Sequence, residues 1–193
     1  MITMDKREQI LEATADLIAE QGLQDCPMAK VARHAGCGAG TIYRYFSTKD
    51  ELVQQLYLHL NEKMAQHCLS GLSDAECIRK RFDHFWGSFY QFLRAHPREV
   101  CLFDQLWASP VICSELREQG MQTMHQEIVR LLDDGKQAGL IKPLADELLL
   151  TMTFGSLFTL LKKQLQKPGT FTKPVQLQDL LNMCWDAICV HSH

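Results

Sequence analysis

Apolar residues along this chain recur at three- and four-residue intervals, and no segment keeps the two-residue alternation of a strand, so the pattern predicts an all-α protein. From Asp5 to Gln21, Ile10, Ala13, Thr14, Leu17 and Ile18 form one stripe, Glu8, Glu12, Asp16 and Glu20 lie outside it, and Gly22 ends the helix. Met28 to Ala35 makes a second helix, with Met28, Val31, Ala32 and Ala35 inward, Pro27 in its first turn and Gly36 as its stop. A very short third helix follows, with Ala39, Ile42 and Phe46 as its buried stripe. Ser47 or Thr48 caps a fourth helix that runs to about Cys68, with Leu52, Val53, Leu56, Tyr57 and Leu60 along one side. Beyond it the pattern predicts helices over Asp74–Ala95, Arg98–Trp107, Cys113–Ala138 (interrupted near Gly120), Leu144–Leu165 and Val175–Val190. The last two are separated by Lys167-Pro168-Gly169 and Lys173-Pro174. The sum is about nine helices, three in an N-terminal head and six in a body.

The second and third helices, joined by Gly36-Cys37-Gly38, read as a helix-turn-helix. The outer face of the third carries Gly40, Thr41, Tyr43 and Arg44. A helix of about two turns buries too little apolar surface to stand alone, so neighbours must hold it while it presents that face outward. Hydroxyls, a guanidinium and bare backbone suit phosphate oxygens and base edges. From Pro27 to Lys49 the chain carries Lys30, Arg33, Arg44 and Lys49 and no Asp or Glu.

That local positive field matters because the whole chain, with a formal net charge of −3, is no general polyanion binder; any DNA contact has to come from a patch. An apolar content of 46% places the chain among globular proteins. The N-terminus lacks a signal-length apolar core, and the most apolar run, Leu148 to Leu161, holds Thr151, Thr153 and Ser156 and stops at Lys162-Lys163. These features predict a cytoplasmic protein with no membrane span. The eight cysteines form no C-x-x-C pair and no zinc-finger spacing, and read as buried small hydrophobes, with a redox-sensing thiol as the alternative. Gly36-x-Gly38-x-Gly40 resembles a phosphate-cradling loop, but a helix precedes it where a dinucleotide fingerprint needs a strand. No nucleophile elbow or paired acid/base spacing stands out, so the sequence predicts no catalytic residue, no metal site and no cofactor.

Two features of the body each have two readings. Phe82, Phe85, Phe89 and Phe92 are either plain core or the wall of a ligand cavity to which Trp86, Tyr90, Phe103, Trp107, Met121 and His125 contribute. The last two helices are apolar nearly all round. Phe154, Phe158 and Leu161 on one and Leu181, Trp185 and Ile188 on the other serve either an intrachain core or a two-fold interface.

Residues 6 to 52 resemble the N-terminal domain of the TetR/AcrR family of bacterial transcriptional regulators. The resemblance is carried by Ile10-Leu11-Glu12-Ala13 with Gly22, Val31-Ala32, Ala35-Gly36, Gly40-Thr41-Ile42-Tyr43-Arg44-Tyr45-Phe46 and Lys49-Asp50-Glu51-Leu52. It implies a DNA-binding head and connecting helix over 4–64, with the reading motif at 27–46, and an effector-binding and dimerisation body over 65–193. It implies an effector pocket inside the body and a four-helix dimer bundle built from the last two helices. In the head, Thr41 and Tyr43 are expected on phosphate and Lys49 on a second phosphate. Arg44 is expected on base or phosphate, Gly40 at close backbone approach, and Lys30 and Tyr45 complete the set. The reading is a homodimeric, effector-released repressor of a palindromic operator in double-stranded DNA, its small hydrophobic effector unidentified. The rival reading is a helical small-molecule sensor or carrier whose head has lost specific DNA binding, motivated by Gly38 and Ala39, where the family usually has serine and a long polar residue.

Overall fold

The computed structural model describes residues 5–167, 169 and 175–191. The helices are α1 (Lys6–Gln21), α2 (Met28–His34), α3 (Ala39–Tyr45), α4 (Lys49–Leu69), α5 (Ile78–Ala95), α6 (Pro97–Trp107), α7 (Ser114–Gln137), α8 (Asp146–Leu150), α9 (Ser156–Gln166) and α10 (Leu177–Ile188). A π turn, Thr151–Gly155, joins α8 to α9, and backbone angles stay helical through both junctions, so these three form one rod. Counted that way there are nine rods among the described residues. The fold is all-α; within the described residues strand-like pairing is confined to an isolated bridge between Ile141 and Cys189. The expected breaks at Pro168 and Lys173-Pro174 and the tail residues Ser192 and His193 lie outside the described residues.

The chain forms two compact units. The first takes the described residues up to Lys63 together with Arg98–Met121, and the second takes Met64–Pro97 and the described residues from Gln122 onward. Arg98–Met121 thus packs with the head, apart from the residues on either side of it.

In the first unit, Ile10, Leu11, Ile18, Val31, Ile42, Phe46, Leu52 and Leu56 share one core with Leu102, Leu106 and Ile112. Each such side chain contributes roughly 1.5–3 kcal/mol by leaving water. The α1 stripe is buried as predicted, but Leu11 and Ala15 on its other flank are buried too, within the core that α6 joins. Gln105 of α6 latches the end of α1, accepting from the Leu23 N–H at 3.2 Å and donating to the Ile18 carbonyl at 3.3 Å. Ion pairs tie the same helices. Arg98 reaches Asp16 at 2.6 Å, Glu12 at 2.7 Å and the buried Glu99 at 2.7 Å, while Lys63 of α4 meets the other Glu12 oxygen at 2.9 Å. The His59 imidazole, whose Nε2 stands 3.7 Å away and beyond hydrogen-bonding reach, together with Lys63 and Arg98 holds the Glu12 carboxyl well below the usual carboxylate range, against the opposing cost of burial. No break occurs at Gly120. α7 runs straight through it, and the glycine serves packing instead: a Cβ there would stand 2.6 Å from Tyr57 Cε1 of α4.

In the second unit, α5 presents Phe82, Phe85, Trp86, Phe89 and Phe92 as a buried face, against which the π turn and α10 pack. Arg81, also buried, pairs with Asp134 of α7 at 2.6 Å. α5 starts at Ile78, so the expected start at Asp74 is corrected: Asp74–Ser73 and their neighbours form a turn, with Asp74 facing Arg130. The hydroxyls of Thr151, Thr153 and Ser156 bond back to the Glu147, Leu149 and Met152 carbonyls around the π turn.

Candidate nucleic-acid interface

The turn between α2 and α3 is set by Gly36, at φ +59°. Its N–H donates to the Arg33 carbonyl at 3.2 Å and the Cys37 N–H to Ala32 at 2.9 Å, the two bonds of a Schellman stop. Gly38 then caps α3 through its backbone carbonyl, which accepts from Thr41 at 2.9 Å, with no side-chain cap. Ile42 and Phe46 are fully buried and anchor the short helix. Ala39 is exposed, which corrects its place in the buried stripe: it lies in the first turn, where no neighbour reaches it.

What α3 offers to solvent is Ala39, Gly40, Tyr43 and Arg44, with Thr41 and Tyr45 half-buried at the margin. Nothing lies within 4 Å of a Cβ built at Gly40, so its backbone is open to approach. Tyr43 is 54% exposed. The Arg44 guanidinium sits 5.3 Å over the Tyr45 ring, and stacking holds it at the surface.

The two lysines are placed differently. Lys49 Nζ donates to the Leu23 carbonyl at 2.7 Å, and Lys30 Nζ bonds the Gln21 side chain and the Asp25 carbonyl, so both ammonium groups engage the linker between α1 and α2. They close that linker around the buried Cys26, whose thiol is pushed up by burial against the pull of Lys49 and Lys30. The cap of α4 is Thr48: its Oγ1 accepts from the Glu51 N–H at 3.0 Å, and the Glu51 carboxylate accepts from the Ser47 N–H at 2.7 Å. Arg33 and His34, exposed at the end of α2, complete the basic surface of the motif and were absent from the expected contact set, although the charge run contained Arg33.

The residues proposed for an effector pocket divide between the units. Phe103, Trp107 and Met121 fall in the first, Trp86, Tyr90 and His125 in the second. Trp86 and Tyr90 are buried, Phe103 and Met121 half-buried, Trp107 and His125 exposed, and Trp107 has the Arg117 guanidinium 5.1 Å over its ring. Of the residues proposed for an interface, Leu161, Leu181 and Ile188 are buried within the chain itself, which leaves them nothing to offer a partner. Phe154 and Trp185 pack edge-on against Phe89 and Phe82, and Phe158 is half-buried. The apolar side chains left open on these helices are Leu148 (50% exposed), Met152, Leu165 and Met183 (69% exposed).

Cys26, Cys68, Cys184 and Cys189 are buried as expected, whereas Cys77, Cys101 and Cys113 are exposed. Burial pushes the Cys68 thiol up to about 12 and the Cys184 thiol up to about 11, which keeps both protonated at neutral pH. Among the described residues no helix is long and apolar enough to cross a membrane, and no three His, Cys, Asp or Glu side chains gather as metal ligands.

A glycine-stopped helix-turn-helix with an exposed second helix, on an otherwise helical chain, defines the class of DNA-reading regulators. Residues 10–56 match the family model of bacterial regulatory proteins of the tetR family, and residues 77–189 match that of tetracyclin repressor-like C-terminal domains. The chain belongs to the TetR family of transcriptional regulators. An HTH-type transcriptional regulator of Haemophilus influenzae is 26% identical over 188 residues, 95% of this chain and 96% of that protein. The crystal structure of a TetR family transcription regulator from Marinobacter aquaeolei shares the fold at a TM-score of 0.86 and 25% identity, over 96% of each chain. The Bacillus subtilis regulator FadR, solved in complex with stearoyl-CoA, shares it at a TM-score of 0.73 and 19% identity, over 92% of this chain and 95% of that one.

Proposed function

We propose that this protein is a homodimeric repressor that reads the half-sites of a palindromic operator with α3 and leaves it when a small hydrophobic effector binds. The observation that carries the DNA reading is the outer face of α3: open backbone at Gly40, an exposed Tyr43 hydroxyl and a surface-held Arg44, on a helix anchored by Ile42 and Phe46. Tyr43 and Thr41 contact phosphate, Arg44 a base edge or phosphate, and the Ala39 methyl offers only an apolar touch. Lys30 and Lys49 serve chiefly by fixing the linker behind the motif, and each keeps donor capacity for a phosphate. Dimerisation uses Leu148, Met152, Leu165 and Met183 in place of the three residues already buried. The aromatic body, and the acyl thioester held by FadR on the same fold, support a hydrophobic effector. Such a ligand releases DNA only by preferring the conformation with the wrong half-site spacing.

The test is fluorescence anisotropy on DNA from upstream of the protein's own gene against scrambled DNA, at two salt concentrations. Discriminating binding that Tyr43→Phe and Arg44→Ala each weaken by roughly 1–3 kcal/mol supports the reading. Weak, salt-erased binding to both DNAs sinks it in favour of the carrier reading, which rests on the departures at Gly38 and Ala39.

A further inference from the structure

The second unit holds a polar group with nothing to bond. Trp86 is 0% exposed, and its Nε1–H has no hydrogen-bond partner among the described residues. Rings surround it: Phe82 stacked at 4.4 Å, Phe85 edge-on at 5.1 Å and Phe154 at 5.3 Å, with Phe89 4.8 Å beyond Phe154. None of these carries an acceptor. A phenylalanine would fill the same stack without leaving a donor unpaired, and an unpaired buried donor is costly.

The neighbouring Phe154 is placed by a second unusual feature. It lies within the π turn, an extra residue in an otherwise continuous helix, which aims its ring at Phe85, Trp86 and Phe89 together. Such turns are rare and concentrate at functional sites. Phe154 is only half-buried, so it is the wall through which Trp86 is most nearly reached.

We infer that the Trp86 indole N–H is the polar handle of the effector site, and that the effector is an uncharged apolar molecule bearing an acceptor oxygen, a ketone, ester or thioester carbonyl, with Phe154 as the movable wall. This rests on the effector-responsive reading above. An apolar body fits the rings, and a lone donor selects an acceptor. A carboxylate is disfavoured there because the rings of Phe82, Phe85, Phe89 and Phe154 offer no cation and an unpaired buried anion is costly; the buried Arg81 of α5 pairs through Nη1 with Asp134 at 2.6 Å, although its Nε and Nη2 make no hydrogen bond.

Two matched pairs of probes distinguish an aromatic from an acyl-chain effector: acetophenone against cumene, and methyl nonyl ketone against undecane. With ¹⁵N-labelled full-length protein, the Trp86 indole peak is assigned by elimination from Trp107→Phe and Trp185→Phe variants. The expected result is a downfield shift and slowed solvent exchange of that peak with the ketone of one pair. In addition, Trp86→Phe should remove about tenfold of the ketone's advantage over its hydrocarbon, as loss of one hydrogen bond predicts. The inference is overturned if no probe moves the Trp86 peak in the unsubstituted protein, or if Trp86→Phe lowers ketone and hydrocarbon affinity alike. DNA release, followed on the same samples, separates the two readings. A Trp86-dependent ketone preference without release keeps the handle and overturns the switch. Release that ignores Trp86 keeps the switch and overturns the handle.

Discussion

The head and the body put polar chemistry to opposite uses. In the head, most polar groups are matched: Arg98 answers three carboxylates, Glu12 answers two cations and Lys49 closes a linker; His59 Nε2 and Arg117 Nε are buried without a hydrogen bond, and the open groups of α3 face outward. In the body, the cluster around Trp86 is almost wholly apolar, and its polar remainder is inward and unpaired. Outward groups without partners suit a large, wet polyanion, whereas an inward donor without a partner suits a small molecule that leaves water to reach it.

The comparison breaks first at the body's rings. Phe82→Ala removes a fully buried ring that stacks on Trp86 and meets Trp185, and should cost about 3–5 kcal/mol in urea denaturation. A loss below about 1 kcal/mol would show a loosely packed cluster and weaken the contrast.

Next comes the head's charge network. Arg98→Met leaves Glu12, Asp16 and Glu99 facing one another without their shared cation, for a loss of roughly 3 kcal/mol. The same network predicts an acid limb. The folded Glu12 carboxyl ionises well below its unfolded value of about 4.3, so its contribution is full above that pH and is lost as pH falls below it. Glu12→Gln should therefore flatten the decline of melting temperature on the acid side; an unchanged slope would assign the decline to other carboxylates.

Gly120→Ala is a smaller perturbation with a clear sign. The added Cβ meets Tyr57 at 2.6 Å and Asn61 at 3.3 Å, and the cost should be about 1–3 kcal/mol despite alanine's better helix propensity. A stabilised variant would mean that α4 yields there freely. Smallest is Thr48→Ala, which removes the cap of α4 for about 1 kcal/mol, visible as a lower melting temperature; an unchanged melt would transfer the cap to Ser47.

The head was the more legible region because its signals are local. The glycine that needs positive φ, the apolar pair Ile42 and Phe46 and the acid-free charge run all lie within one short stretch. The errors there concern what reaches a side chain: Ala39 fits the stripe by spacing yet has nothing above it, and Lys30 and Lys49 look like free cations until the linker folds back onto them. In the body, periodicity located α5 and the apolar rods but not the π turn. A helix with one extra residue keeps an apolar pattern, and the only trace was the trio Thr151, Thr153 and Ser156. Leu161, Leu181 and Ile188 were apolar as read, and which of two apolar partners covers such a residue is invisible in a single chain's pattern.

The sequence by itself determined the helices, the glycine stop, the anchored reading helix and the family, because each follows from backbone sterics and spacing within a few turns. Only the tertiary structure decided that Arg98–Met121 belongs with the head, that Gly120 admits the Tyr57 ring, that the lysines face the linker and that the Trp86 N–H is walled in without an acceptor. Those facts depend on which distant side chains arrive at a given point. That is fixed by packing over the whole chain, which local pattern does not encode.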